Sequence, residues 1–440
     1  MSKRPSSLTP QMAMQGLAAL CRLDAERQAK RARVVLLPSD SSDEEVEDGN
    51  SIYDTFLQEG PDNIQTLTNF TPEQFEQLWS QVQNHVAMTW NKGRGRKTTT
   101  KPMDVFFMLL AVLKNAGHWD VLAGVFGFKG AAFQKMMTKF ADLVAPFLYK
   151  RYVTSNLEKF PMVRLITEDK TFHYHPYALY ATVSTFQQTN IPTGRAKTRD
   201  LYQNAKFQLF GYKNQVSVLP NGLAVDCTGH APGNEADADI FRQNAEFHYK
   251  ALGKAEREMD IADDGELVAT YPDSWAVLAD KNFQSLSEDL RVVTPFRTST
   301  EQRLTPDQVE TNRSLAHDRR IANKFLGRLT SLWAICSDKY RWDESQYDPY
   351  WQMCVALTNV HVNSEPLNDE DGDNFKRYLQ ELVETGVERR EKRHESQKKY
   401  REKRQNKVNE EVSSILVTPR ASTSHGSTRR RLEIRPSSDV

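Results

Sequence analysis

Apolar residues recur at helical spacing through the first third of the chain. Thr71 precedes Pro72, an N-cap followed by proline at the first helical position, and Phe75, Leu78, Trp79 and Val82 line up behind them. Met103 to Leu113 forms a strongly apolar helix. His118 to Phe128 reads as a short helix ending in a glycine turn. Residues 131–149 read as an amphipathic helix, with Phe133, Met136, Met137, Phe140, Leu143 and Val144 on one side. Residues 52–153 are therefore predicted to be an all-α, helix-turn-helix-like region, although a plain helical bundle has the same outline.

From about Met162 the period drops to two. Tyr177 to Phe186 is a predicted strand, and residues 209–229 a hairpin turning at Asn221-Gly222, a dipeptide that accepts positive φ. A helical stretch over 237–252 follows. Short apolar strands come next, at 274–278 (leading into Ala279-Asp280) and at Val292-Val293. A long helix over 306–333 is capped by Thr305, with a break expected near Gly327. This alternation predicts a mixed α/β domain over 162–345.

Both ends read as tails. Residues 1–51 are poor in aromatics, close on an acidic run at 39–48, and are expected to be disordered apart from a short helix within 10–32. Lys30-Arg31-Ala32-Arg33 suits a nuclear localisation signal or simply a solvated charged segment. Residues 363–440 read as a charged tail, helical over 374–412 and then disordered. A helix contacting DNA backbone and a charged surface helix are both open readings there.

Composition narrows the class. The 440 residues have room for two or three domains, and the formal net charge is zero, so any surface for a polyanion must be local. Four scattered cysteines without a C-x-x-C pair give neither a zinc ribbon nor a disulfide framework. No run suits a membrane span or a signal peptide.

Two acids carry the candidate chemistry. Asp237 follows a Pro232-Gly233 turn at a helix start, and Asp280 ends an apolar strand, where α/β folds place ligand groups. Two neighbouring carboxylates repel unless a cation lies between them, and oxygen ligands favour Mg²⁺ or Mn²⁺, the ions of phosphodiester chemistry. On position alone, a helix-capping or strand-ending aspartate is usually structural. Arg94, Arg96, Lys97 and Lys101, in and beside a glycine-containing loop, are candidate DNA phosphate contacts, with a solvated loop as the alternative. His173 and His175 have an H-x-H spacing but no further ligands in sequence, so a surface or core role is expected.

The ordered combination resembles a known family. Pro232, Gly233, Asp237, Ile240, Phe241 and Arg242 are followed by Leu278, Asp280 and Phe283, then Pro295. Asn312, Leu315, Arg319, Arg320 and Ile321 come next, then Phe325, Gly327, Arg328, Leu329, Leu332 and Trp333. This series is similar to the DDE endonuclease domain of Harbinger-type transposases. The resemblance implies an RNase H-like mixed sheet with flanking helices, and DNA strand cleavage or transfer dependent on a divalent metal held by Asp237 and Asp280. It further implies DNA as partner; whether a separate DNA-binding partner protein is also needed stays open, and a nuclear location is suggested by the basic cluster at 30–33. Two departures stand out. Val183 occupies the place of the family's first acid, and Asn323 that of a helix glutamate. Losing two carboxylates should weaken metal binding sharply, which leaves a damaged endonuclease or a non-catalytic DNA- or protein-binding relic.

Overall fold

Thr71 does cap a helix, α1 (Pro72–Thr89). Its hydroxyl accepts from the Gln74 N–H at 3.3 Å, and the Gln74 side chain accepts from the Thr71 N–H at 3.0 Å. The computed structural model describes residues 14–22, 51–92, 97–191, 196–298 and 303–417. The basic cluster at 30–33 and the candidate contacts Arg94 and Arg96 lie outside these residues. Helix α2 (Pro102–Asn115) is buried all round from Val105 to Leu113, as its unbroken apolar run requires. Helix α3 (Trp119–Val125) leads through Gly127, at φ 72°, into α4 (Gly130–Tyr149). Within the N-terminal segment, residues 14–22 are helical and bury Leu17 and Leu20 in the same core.

Seven strands form one mixed sheet. β1 (Ala178–Gln188) is central, with β3 (Leu209–Val218) antiparallel on one side. β2 (Gln203–Asn204), β4 (Ala224–Cys227) and β5 (Ala231–Pro232) all pair with β3. On the other side of β1, β6 (Ala276–Leu278) and β7 (Val292–Val293) run parallel to it and to each other. The β3–β4 connection turns at Gly222, φ 89°, as its Asn-Gly dipeptide predicts.

Three helical stretches differ from expectation. Residues 237–252 split into α5 (Asp237–Gln243) and α6 (Ala245–Leu252), because Asn244 turns its side chain to the Asp226 carboxylate at 2.7 Å. Helix α7 (Pro306–Leu332) runs unbroken through Gly327. That glycine serves packing instead: a Cβ there would lie 1.7 Å from the Asp371 carbonyl oxygen. Helix α8 (Tyr347–Ser364) was not foreseen. It is buried on most sides, and its Asn359 exchanges hydrogen bonds with both backbone groups of Ala224, at 2.8 Å each.

Helix α9 (Asp369–Val417) spans a boundary between two compact units, Met1–Glu384 and Thr385–Val440. In the first unit, α9 buries Phe375, Tyr378 and Leu382 in the core. Next to Gly327, Arg328 grips Asp371 through two bonds of 2.7 and 2.8 Å, with both side chains buried. In the second unit, every residue from Val387 to Glu410 is exposed.

Candidate active-site cleft

The parallel register of β1 and β6 sets the floor of a cleft. Ala181 lies opposite Leu278. Val183 and Asp280 each sit two residues further along extended backbone, so both occupy the face those partners share. Asp237 begins α5 after the Pro232-Gly233 turn. Only glycine fits at 233, since a Cβ would come within 2.4 Å of the Tyr202 carbonyl oxygen. Asn323 and Arg319, one turn apart on α7, complete the set. Val183, Asp237, Asp280 and Asn323 all line one cavity of about 730 Å³, walled on one side by the first turns of α9.

Its electrostatics do not suit a bound cation. The Lys213 ammonium lies 3.0 Å from Asp237 Oδ1 and also donates to the Glu235 carbonyl at 2.8 Å. Asn282 Nδ2 donates to the other Asp237 oxygen at 3.0 Å. Asp280 meets the Arg319 guanidinium at 3.4 Å. Burial lowers the Arg319 pKa, opposed by the Asp280 charge. The Arg319 Nε is buried without a partner. Across the cavity, Lys206, Lys213, Arg319, Arg320, Lys324 and Lys376 face four carboxylates, a formal excess of two positive charges. Lys324 and Lys376 are paired with Asp369 and Asp373, both at 2.8 Å. Among the described residues, no three acids, histidines or cysteines meet in a metal-holding group. An ammonium and an amide on Asp237, a guanidinium on Asp280, a valine and an asparagine do not fit a divalent metal.

Other acids near Asp237 in sequence serve elsewhere. Asp226 accepts from Tyr149 at 3.1 Å and from Asn244, and burial raises its pKa to about 6. Asp239 is exposed and pairs with Arg242 at 3.1 Å. His175 does have a partner: Asp318 of α7 accepts from its ring at 2.8 Å and from two backbone N–H groups. His173 stacks edge-on against Tyr174. Lys97 and Lys101 are exposed just before α2, outside the cleft's lining.

Sequence reasoning missed the cations. Lys213 is a charged residue inside a buried strand, opposite Phe186, a placement that signals a buried partner. Arg319 sat within the recognised helix series without an assigned role. The α9 wall was hidden because its charged residues outnumber the three it buries.

A family model described as DDE superfamily endonuclease matches residues 183–359, a span that holds all four cleft positions. No curated protein and no solved structure matches the chain.

Proposed function

We propose that the cleft of the segment matched by the DDE superfamily endonuclease model, residues 183–359, holds DNA backbone without cutting it. One observation carries the reading. The four positions expected to bear metal-ligating acids converge on one cavity, yet only two are carboxylates, and each of those is bonded to a cation. Arg320 and Lys206 are exposed on the cleft lining, where they can meet phosphates directly. Lys213 and Arg319 hold the remaining acids neutralised, so the cleft does not repel a polyanion.

The finer identity rests on supporting features. An antiparallel β1–β3–β4 group continued by two parallel strands is consistent with an RNase H-like sheet. The α2–α3–α4 outline is consistent with a helix-turn-helix, and Lys97 and Lys101 remain its phosphate contacts by proposal. The series Asn312 to Trp333 favours Harbinger-type ancestry. The Lys30–Arg33 cluster, as a localisation signal, would place the protein in the nucleus, and a separate DNA-binding partner protein belongs to the same proposal. No helix among the described residues is long and apolar enough to cross a membrane.

A second reading, residual Mg²⁺- or Mn²⁺-dependent cleavage through Asp237 and Asp280, is favoured only by their sharing one cavity. Binding separates from cutting in one titration. Fluorescence anisotropy with a labelled DNA duplex in EDTA should show metal-independent binding. The slope of log affinity against log salt should fall by about 1.8 in Lys206→Ala/Arg320→Ala, at about 0.9 per phosphate contact. An unchanged slope refutes the cleft as the phosphate site.

A further inference from the structure

The second compact unit holds a long charged helix whose residues from Val387 to Glu410 are all exposed. An α-helix polar all round must be stabilised by its own ion pairs or by a partner. Such pairs include Lys392 to Glu388 at 3.2 Å and Lys399 to Glu395 at 2.8 Å, both i,i+4.

The acids from Glu388 to Glu402 cluster on one side, while the cations run round the helix: Lys392 and Lys399 lie at one edge of the acidic stripe, Lys398 at its other edge, and Arg390 and Arg401 between the two faces. At about 100° per residue, Glu388, Glu391, Glu395 and Glu402 fall within a stripe about 60° wide. Arg393, Lys403, Arg404 and Lys407, with Tyr400 among them, fall within about 100° on the other side, the two stripes being centred about 140° apart. Both intrahelical pairs sit at the border of the acidic stripe. The four central cations have no carboxylate at ion-pair distance among the described residues, and Tyr400 is 69% exposed.

We propose that this basic face is a second DNA-binding surface, seated in the major groove of duplex DNA and acting through phosphate contacts. The groove, about 12 Å wide, admits a helix about 10–12 Å across. Arg393 to Lys407 spans about 21 Å, the length of about six base pairs. Cations within the face reach phosphates on both rims, while the glutamate stripe faces solvent. A-form RNA, whose major groove is deep and narrow, does not admit the helix. The surface is independent of the cleft, because none of its residues lines that cavity.

The test uses the full chain and a labelled duplex of arbitrary sequence, titrated by anisotropy across salt. In Arg393→Gln/Lys403→Gln/Arg404→Gln/Lys407→Gln the log–log salt slope should fall by about 3 to 4. A second variant, Glu391→Arg/Arg393→Glu/Glu402→Lys/Lys403→Glu, keeps net charge and scrambles the stripes. It should also lose slope and affinity, with helicity checked by circular dichroism. Two results overturn the proposal: a wild-type slope in the glutamine variant, or full affinity in the scrambled one. Equal affinity for an RNA duplex of the same length overturns the groove seat. A loss confined to Lys206→Ala/Arg320→Ala would leave the cleft as the binding site and remove this one.

Discussion

Gly327→Ala should destabilise the protein, against the ordinary rule for helices. In a helix interior alanine is favoured over glycine by about 1 kcal/mol. Here the added Cβ would lie 1.7 Å from the Asp371 carbonyl oxygen and 2.6 Å from its carbon. Normal contact is about 3.5–4.0 Å, so the first turn of α9 must retreat by about 2 Å. That distance opens the buried Arg328–Asp371 pair, whose bonds are 2.7 and 2.8 Å long. Breaking such a pair costs about 3–5 kcal/mol. Setting the alanine gain against it leaves a net loss of about 2–4 kcal/mol, a large share of the stability of an ordinary domain. Urea unfolding followed by tryptophan fluorescence reads the loss as a lower midpoint at unchanged m. Hydrogen exchange over 369–384 should accelerate in the same variant, since that segment is the one displaced. A variant as stable as wild type, with unchanged exchange there, would refute the packing argument.

Three further outcomes follow from buried groups. His248 is buried, stacked on Phe241 at 3.6 Å and accepting from Tyr180 at 2.8 Å, and burial depresses its pKa to about 3. The unfolded chain takes up that proton below about pH 6.5 and the folded one does not, so stability is full above pH 6.5 and declines as pH falls toward 3. Between pH 7 and pH 5 the wild type should lose about 2 kcal/mol through this residue, and His248→Gln should lose correspondingly less; parallel curves would contradict this. Arg291, fully buried, rests on Asp263 at 2.6 and 2.8 Å, and these contacts outweigh burial to hold that carboxyl well below its usual range. Asp263→Ala should cost about 3–5 kcal/mol in chemical unfolding. Asp226→Asn should be stabilising at pH 7 and neutral near pH 4, because the folded state favours the protonated acid; a uniform effect across pH would count against it.

Features encoded locally were legible in the sequence. The Thr71 N-cap, the Asn221-Gly222 turn and the strand leading to Asp280 each depend on a few neighbouring residues, and each appears where expected. What depended on distant partners was not legible. The 237–252 helix breaks because Asn244 answers Asp226, eighteen residues earlier. Helix α8 shows no stripe because most of its sides are covered. Phe375, Tyr378 and Leu382 do carry helical spacing, but the surrounding charge masked it. In the cleft, the acids and their vacancies could be placed by order along the chain. The pairings of Lys213 with Asp237 and Arg319 with Asp280 span 24 and 39 residues, and only the fold brings them together.

Nicking of supercoiled plasmid in Mn²⁺ and Mg²⁺ tests the loss of cutting most directly. The comparison is between wild type, Val183→Asp/Asn323→Glu, and the same double variant carrying Asp280→Ala, with folding of each checked by thermal melting. Wild type should leave the plasmid intact, the double variant should nick it, and adding Asp280→Ala should abolish that gain. Nicking by wild type that Asp280→Ala alone removes would show that the two remaining carboxylates suffice, and would contradict a cleft that only binds.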